Sequence, residues 1–196
     1  WMADFLPLQF GKKLWVCPSW LTPPDPEATN ISLDPGLAFG TGTHFSTSLC
    51  LRWLEQASLE NTELIDYGCG SGILAIAAAL LGASKVHAVD NDKQAIVATI
   101  DNSCRNNIVG GVIKAYLPEA LPELQADILV ANILAEPLLD LSFKFSELVK
   151  PGGKIVLSGL LEDQVVALIT CYQKWFDIEE PLIDHEWGLL IGTRRA

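Results

Sequence analysis

The run Ile65-Asp66-Tyr67-Gly68-Cys69-Gly70-Ser71-Gly72 constrains this chain more than any other feature. An apolar strand enters three alternating glycines, and an Ala/Leu-rich stretch of helical character follows. A second apolar strand, Val86 to Val89, ends at Asp90, 18 residues after Gly72. Strand, glycine turn, helix and strand with a terminal carboxylate describe one edge of an open α/β sheet. Ligands of such sheets bind at that edge. Glycines there let the backbone approach a ligand closely, and a carboxylate accepts hydrogen bonds from ribose hydroxyls.

The glycine spacing is G-x-G-x-G, not the G-x-G-x-x-G of dinucleotide folds. It points away from nicotinamide cofactors and toward S-adenosylmethionine (AdoMet). In this reading Gly68 and Gly70 lie along the methionine part, and Asp90 takes the ribose. Asp66 accepts a hydrogen bond from the loop or from the ligand amine. The helix from Gly72 directs its positive end at the ligand carboxylate. Asp92 reads as the cap of the next helix.

The rest of the chain supports one α/β domain. Strands are expected near 64–67, 85–90, 111–116, 126–131 and 153–158, and helices over 72–82, 92–106, 135–149 and 162–174. This alternation predicts a mostly parallel sheet with helices on both faces. Trp175 to Ile183 and Trp187 to Thr193 form two further strands, the last pair antiparallel. Upstream, Leu14-Trp15-Val16-Cys17 and Ile31-Ser32-Leu33 read as short strands. Thr43 or Ser46 caps a helix from Thr47 to Gln56. Residues 1–46 form a flank that ends in a Gly/Thr loop, and residues 47–196 form the catalytic domain. Lys150-Pro151-Gly152-Gly153 reads as a turn before the fifth strand.

Composition narrows the class. Hydrophobic residues make up 49% of 196, enough for a large core. No apolar run reaches the ~18 residues of a membrane span. The five cysteines form no C-x-x-C pair, which suggests reduced thiols in the cytoplasm. None has metal-ligand spacing to a histidine, so no metal site is expected. A formal charge of −11 without a basic patch argues against naked nucleic acid and suits a basic protein partner. A monomer is expected.

Asn132 closes the fourth strand. It reads either as the cap of helix 135–149 or as an acceptor for a substrate amine, and its place at the carboxyl edge favours the acceptor. Methyl transfer from a sulfonium needs a neutral nitrogen lone pair. A lysine of pKa ~10.4 is about one part in a thousand neutral near pH 7.4, a cost of roughly 4 kcal/mol. Desolvation lowers that pKa, and an oriented acceptor supplies position. His44 stands in the Phe39-Gly40-Thr41-Gly42-Thr43-His44 loop, as general base or as a structural histidine beside a cap.

Three stretches together resemble one family. They are Leu33 to His44, with its Asp-Pro-Gly-x-Ala-Phe-Gly-Thr-Gly-Thr-His pattern, Ile65 to Ala77, and Val130-Ala131-Asn132-Ile133-Leu134-Ala135. They are similar to the PrmA family, methyltransferases of ribosomal protein L-eleven, over the whole chain. The resemblance implies a class I AdoMet-dependent methyltransferase fold, AdoMet as donor, and N-methylation of lysine and N-terminal amines of a ribosomal protein. It implies cofactor-binding positions at Thr47, Gly68, Asp90 and Asn132, with Phe39, Thr43 and Gly70 beside them; the catalytic role of Asn132 is the reading of its own position after the fourth strand. It also implies an N-terminal substrate-recognition domain ahead of this segment. The Asn-Ile-Leu loop lacks the aromatic of Asn-Pro-Pro-aromatic enzymes, which suits a flexible aliphatic amine. A methyltransferase of RNA or of a small molecule, and a non-catalytic AdoMet-binding module, stay open as alternatives.

Overall fold

A computed structural model describes residues 5–34 and 44–196. Strands β4 (Glu63–Tyr67), β5 (Lys85–Val89), β6 (Ile113–Tyr116), β7 (Ala126–Asn132) and β8 (Val149–Leu161) are mutually parallel. Strand β11 (Trp187–Arg194) runs antiparallel along β8, and β9 (Phe176–Ile178) and β10 (Leu182–Asp184) both pair with β11. The sheet order is β6-β5-β4-β7-β8-β11-β10. It reverses direction between β4 and β7, so the ligand crevice of such a sheet lies at the carboxyl ends of those two strands.

The strands are apolar on both faces because helices cover both. Along β4 and β7 successive residues alternate between two cores. Leu64, Ile128 and Val130 lie in one, and Ile65, Leu129 and Ala131 in the other. Helices α1 (Phe45–Gln56), α2 (Ile73–Leu80) and α3 (Lys93–Arg105) cover the first face. Helices α4 (Ala135–Asp140), α5 (Ser142–Leu148) and α6 (Val165–Tyr172) cover the second.

A small sheet precedes them, with β1 (Leu8–Phe10) antiparallel and β3 (Thr29–Ser32) parallel to β2 (Leu14–Cys17). Its Leu14 and Ile31, both fully buried, share the first core with Leu54 and Ala77. Glu55 of α1 closes the β1–β2 turn by accepting the Lys12 and Lys13 N–H groups, each at 3.0 Å.

Several expected elements differ. The helix over 135–149 is two helices that meet at Leu141, which is C-cap of α4 and N-cap of α5. The apolar stripe Leu138, Phe145 and Leu148 still faces the second core. Trp175 to Ile183 is not one strand: Glu179-Glu180-Pro181 separates β9 from β10, since proline lacks the N–H that a ladder needs. The Lys-Pro-Gly-Gly segment is not a turn ahead of the strand but a bulge inside β8. Ala126 pairs with Val149 and Ile128 with Lys154, so the intervening residues of β8 loop out. The helix over 162–174 starts as a 3-10 turn, Glu162–Gln164, before α6.

Candidate functional site

The sheet order strings the chemistry along one edge. Asp90 follows β5, Gly68 follows β4, Asn132 ends β7 and Gly159 lies near the end of β8. Trp187 opens β11, whose antiparallel run brings its first residue to the edge where the parallel strands end. Four inter-strand spacings separate the extremes, about 19 Å. A cavity of about 630 Å³ runs along this edge, lined by all five of these residues. That volume falls in the ~300–1,000 Å³ range of small-molecule sites.

The β5–β4 half is tied down by its own hydrogen bonds. Gly68 and Cys69 both donate to the Val89 carbonyl, at 2.7 and 3.0 Å. Asp90 accepts the Gly70 N–H at 2.9 Å through Oδ2 and the Asp92 N–H at 3.0 Å through Oδ1. Each oxygen keeps a further lone pair for a ribose hydroxyl. Helix α3 braces the loop from behind, with Asn102 donating to the Ser71 carbonyl at 2.8 Å and Thr99 to the Gly70 carbonyl at 3.3 Å. Asp92 caps α3, as expected, by accepting from the Gln94 N–H at 2.8 Å.

Gly68 has φ +82°, and a Cβ there would run into the Ile133 side chain. The glycine is therefore required twice over. The room it leaves is filled by the β7–α4 loop, not only by a ligand.

Asp66 is fully buried and accepts the Ala75 N–H of α2 at 3.0 Å through Oδ2, while Oδ1 has no partner. Burial pushes its pKa up to about 7, against the lowering effect of that N–H and with a further push from the Asp90 charge. It does not line the cavity, so it is a brace beneath the loop rather than a ligand for an amine. The start of α2 is likewise less free than expected. Its Ile73 N–H goes to Ser71 Oγ at 3.3 Å and its Ala75 N–H to Asp66.

The β7–β11 half is less satisfied. Asn132 donates from Nδ2 to Thr47 Oγ1 at 3.1 Å, and its Oδ1 is buried without a partner among the described residues. The capping alternative fails: the N-cap of α4 is Leu134, with no side-chain cap bond. Thr47 lies in the first turn of α1, 1% exposed, and faces the same cavity.

The cap of α1 is neither Thr43 nor Ser46 but His44, whose Nδ1 accepts the Ser46 N–H at 3.3 Å. The same Nδ1 lies 2.7 Å from Ser46 Oγ, so this nitrogen is engaged at the start of α1 and His44 is its structural cap. Its ring meets Trp187 edge-on, centroids 4.4 Å apart.

Of the residues expected from the sequence, the structure brings Thr47, Gly68, Gly70, Asp90 and Asn132 onto one cavity. Phe39 and Thr43 lie outside the described residues. Residues not anticipated at the cavity include Tyr67, Pro118, Leu134, Leu141, Gly159 and Trp187. Leu134 sits two residues beyond Asn132, and Gly159 is a glycine in a strand, so both left a signal. Trp187 left none, because only the strand order brings it here. Among the described residues lining the cavity, Asp90 is the one carboxylate.

Comparison with known proteins agrees with this geometry. The family model described as "Ribosomal protein L11 methyltransferase (PrmA)" matches residues 1–195. A curated relative of that name from Shewanella woodyi is 56% identical over 196 residues, all of this chain and 67% of the relative. Another from Nitrosococcus oceani is 54% identical over 195 residues, 100% of this chain and 66% of the relative. The chain thus spans about two thirds of the length of these relatives. The crystal structure of ribosomal protein L11 methylase from Lactobacillus delbrueckii subsp. bulgaricus superposes with a TM-score of 0.88 at 31% identity, covering 98% of this chain and 100% of that one. With a match from one end to the other and a fold that superposes throughout, the chain belongs to the ribosomal protein L11 methyltransferase family.

Proposed function

We propose that this chain is an AdoMet-dependent N-methyltransferase that modifies lysine and N-terminal amines of ribosomal protein L11 in the cytoplasm. The observation that carries the reading is the Asn132 carboxamide. Its Oδ1 is buried, has no partner among the described residues and belongs to a cavity-lining residue at the sheet's carboxyl edge. An orphaned acceptor is costly unless a ligand satisfies it. A neutral amine, with N–H groups to donate and a lone pair to spare, is such a ligand.

The cavity suits the cofactor. Asp90 keeps acceptor capacity for the ribose diol, and the Gly68–Gly70 backbone forms the adjoining wall. Thr47 and Asn132 reach the cavity from α1 and β7. When bound, AdoMet supplies an electrophilic methyl group on a sulfonium. Among the described lining residues the only carboxylate stands at the far end of the edge, so the Asn132 end disfavours an ammonium and favours the neutral amine. Asn132 Oδ1 and a neighbouring backbone carbonyl then hold the N–H groups and aim the lone pair. The chain's own contribution is desolvation and position, with no strong base required. Residues 47–196 carry this chemistry as the catalytic domain. Residues 1–46 flank it, with strands that bury Leu14 and Ile31 in the shared core.

The test is methyl transfer from labelled AdoMet to purified L11, read by intact mass. Mass steps of one methyl group support the reading. No transfer to L11, with transfer to structured RNA instead, would replace it with the RNA alternative.

A further inference from the structure

The proposed function fixes the cofactor at one end of the cavity but leaves open how the amine arrives. The sheet edge answers by elimination. With the ribose at Asp90 on β5 and the acceptor at Asn132 on β7, the remaining cavity lies beyond Asn132, toward β8 and β11. This end is apolar. Leu134 is 68% exposed at the cavity rim, on the loop that follows Asn132, and Trp187 stands at the start of β11. What sets Leu134 apart from other exposed apolar side chains is its place on the cavity, next but one to Asn132.

Trp187 is tied to the acceptor through contacts already described. Asn132 bonds to Thr47, Thr47 shares the first turn of α1 with its cap His44, and the His44 ring abuts the indole. The indole is therefore held in register with the carboxamide rather than hanging free. Between β7 and β11 the floor is Gly159, at φ +85°, where a Cβ would strike the Ile133 backbone. The strand there packs directly against the backbone of the loop that carries Leu134, and Leu134, Gly159 and Trp187 line the same cavity.

We propose that Trp187 and Leu134 form an apolar slot that grips the methylene stem of the incoming amine, making Trp187 a specificity-determining residue of this site. The inference rests on the reading of an amine substrate. An unbranched alkyl chain fills such a slot, sheds its water and delivers the nitrogen to Asn132 Oδ1. The desolvation that fixes the stem also favours the neutral amine. A planar base or amide would have to be held by stacking, and Leu134 offers no ring for it.

The experiment compares Trp187→Ala, Trp187→Phe and Leu134→Asn with the unaltered chain. Steady-state transfer to purified L11 is measured at saturating AdoMet. Calorimetry measures S-adenosylhomocysteine binding alone, and then L11 binding with that product present. The slot predicts that Trp187→Ala raises KM and the L11 dissociation constant roughly tenfold, the loss of one or two buried methylene contacts. It predicts kcat within about threefold and unchanged product affinity, with Trp187→Phe recovering most of the loss. Leu134 is exposed, so Leu134→Asn should leave the fold intact and raise KM by several-fold. Unchanged KM in both Trp187→Ala and Leu134→Asn overturns the slot while leaving the methyltransferase reading standing. A parallel loss of product affinity overturns it too, by moving Trp187 to the cofactor. Absence of transfer by the unaltered chain would bring down both readings together.

Discussion

The two halves of the cavity are built on opposite principles. Around the glycine loop nearly every polar group has an internal partner. Asp90 holds two backbone N–H groups, Val89 receives two, and Asp66 and Ser71 take those at the start of α2. Around Asn132 the polar accounting is left open, with one carboxamide oxygen unanswered and an apolar rim in solvent. Asp66 Oδ1 is also without a partner among the described residues, but it lies beneath the loop and away from the cavity; the Asn132 oxygen belongs to a cavity-lining residue, where a ligand can complete it. That division suits an enzyme that uses one donor repeatedly and must admit amines from a large, mobile partner. It also implies that mutations in the first half act on stability and cofactor affinity, and those in the second half on transfer.

The largest effect is expected from Asn132→Ala. It should reduce transfer about a hundredfold while changing AdoMet affinity only a few-fold, since the acceptor matters most when the amine is aimed. Equal losses in kinetics and calorimetry would make Asn132 a cofactor ligand only. Gly68→Ala probes the glycine-loop half. A positive φ and the Ile133 contact together should cost about 2 kcal/mol, a fall of roughly 4–8 °C in Tm. An unchanged melting curve would show that the loop yields easily. Asp90→Ala should weaken AdoMet at least tenfold, about 1.4 kcal/mol. Near-normal affinity would remove the ribose assignment.

A pH dependence of stability follows from Asp66. Its carboxyl has an ordinary pKa of 3.8 when unfolded and about 7 when folded. Between those values the folded state binds the extra proton, so stability falls as pH rises from about 4 to 7 and is level above. The slope from this group is at most about 1.4 kcal/mol per pH unit. Asp66→Asn should therefore gain on the parent chain across that window in denaturant titrations. A constant difference from pH 5 to 7.5 would contradict the assignment.

Much of the glycine-loop half was legible in the sequence, because its signals are local. Glycines that need positive φ, a carboxylate at a strand end and a cap at Asp92 are each read within a few residues. The alternation of strands and helices was legible for the same reason. What escaped depends on pairing at a distance. The bulge at Lys150 to Gly153 exists only because β8 must stay in register with β7 on both sides of it. The split of Trp175 to Ile183 follows from β11 accepting two partners in succession. His44 took the cap because its ring reaches the Ser46 N–H, a geometry that propensity assigns to threonine or serine. Trp187 enters the site only through an antiparallel strand that the order of the sheet brings alongside β8.

The most direct measurement is single-turnover transfer to L11 by the parent chain, Asn132→Ala and Asp90→Ala, each at AdoMet concentrations that saturate it by calorimetry. The account predicts that saturation restores Asp90→Ala to near the parent rate while Asn132→Ala stays about a hundredfold slow. If both variants recover, or both remain slow, the cavity is not divided into a cofactor end and an amine end.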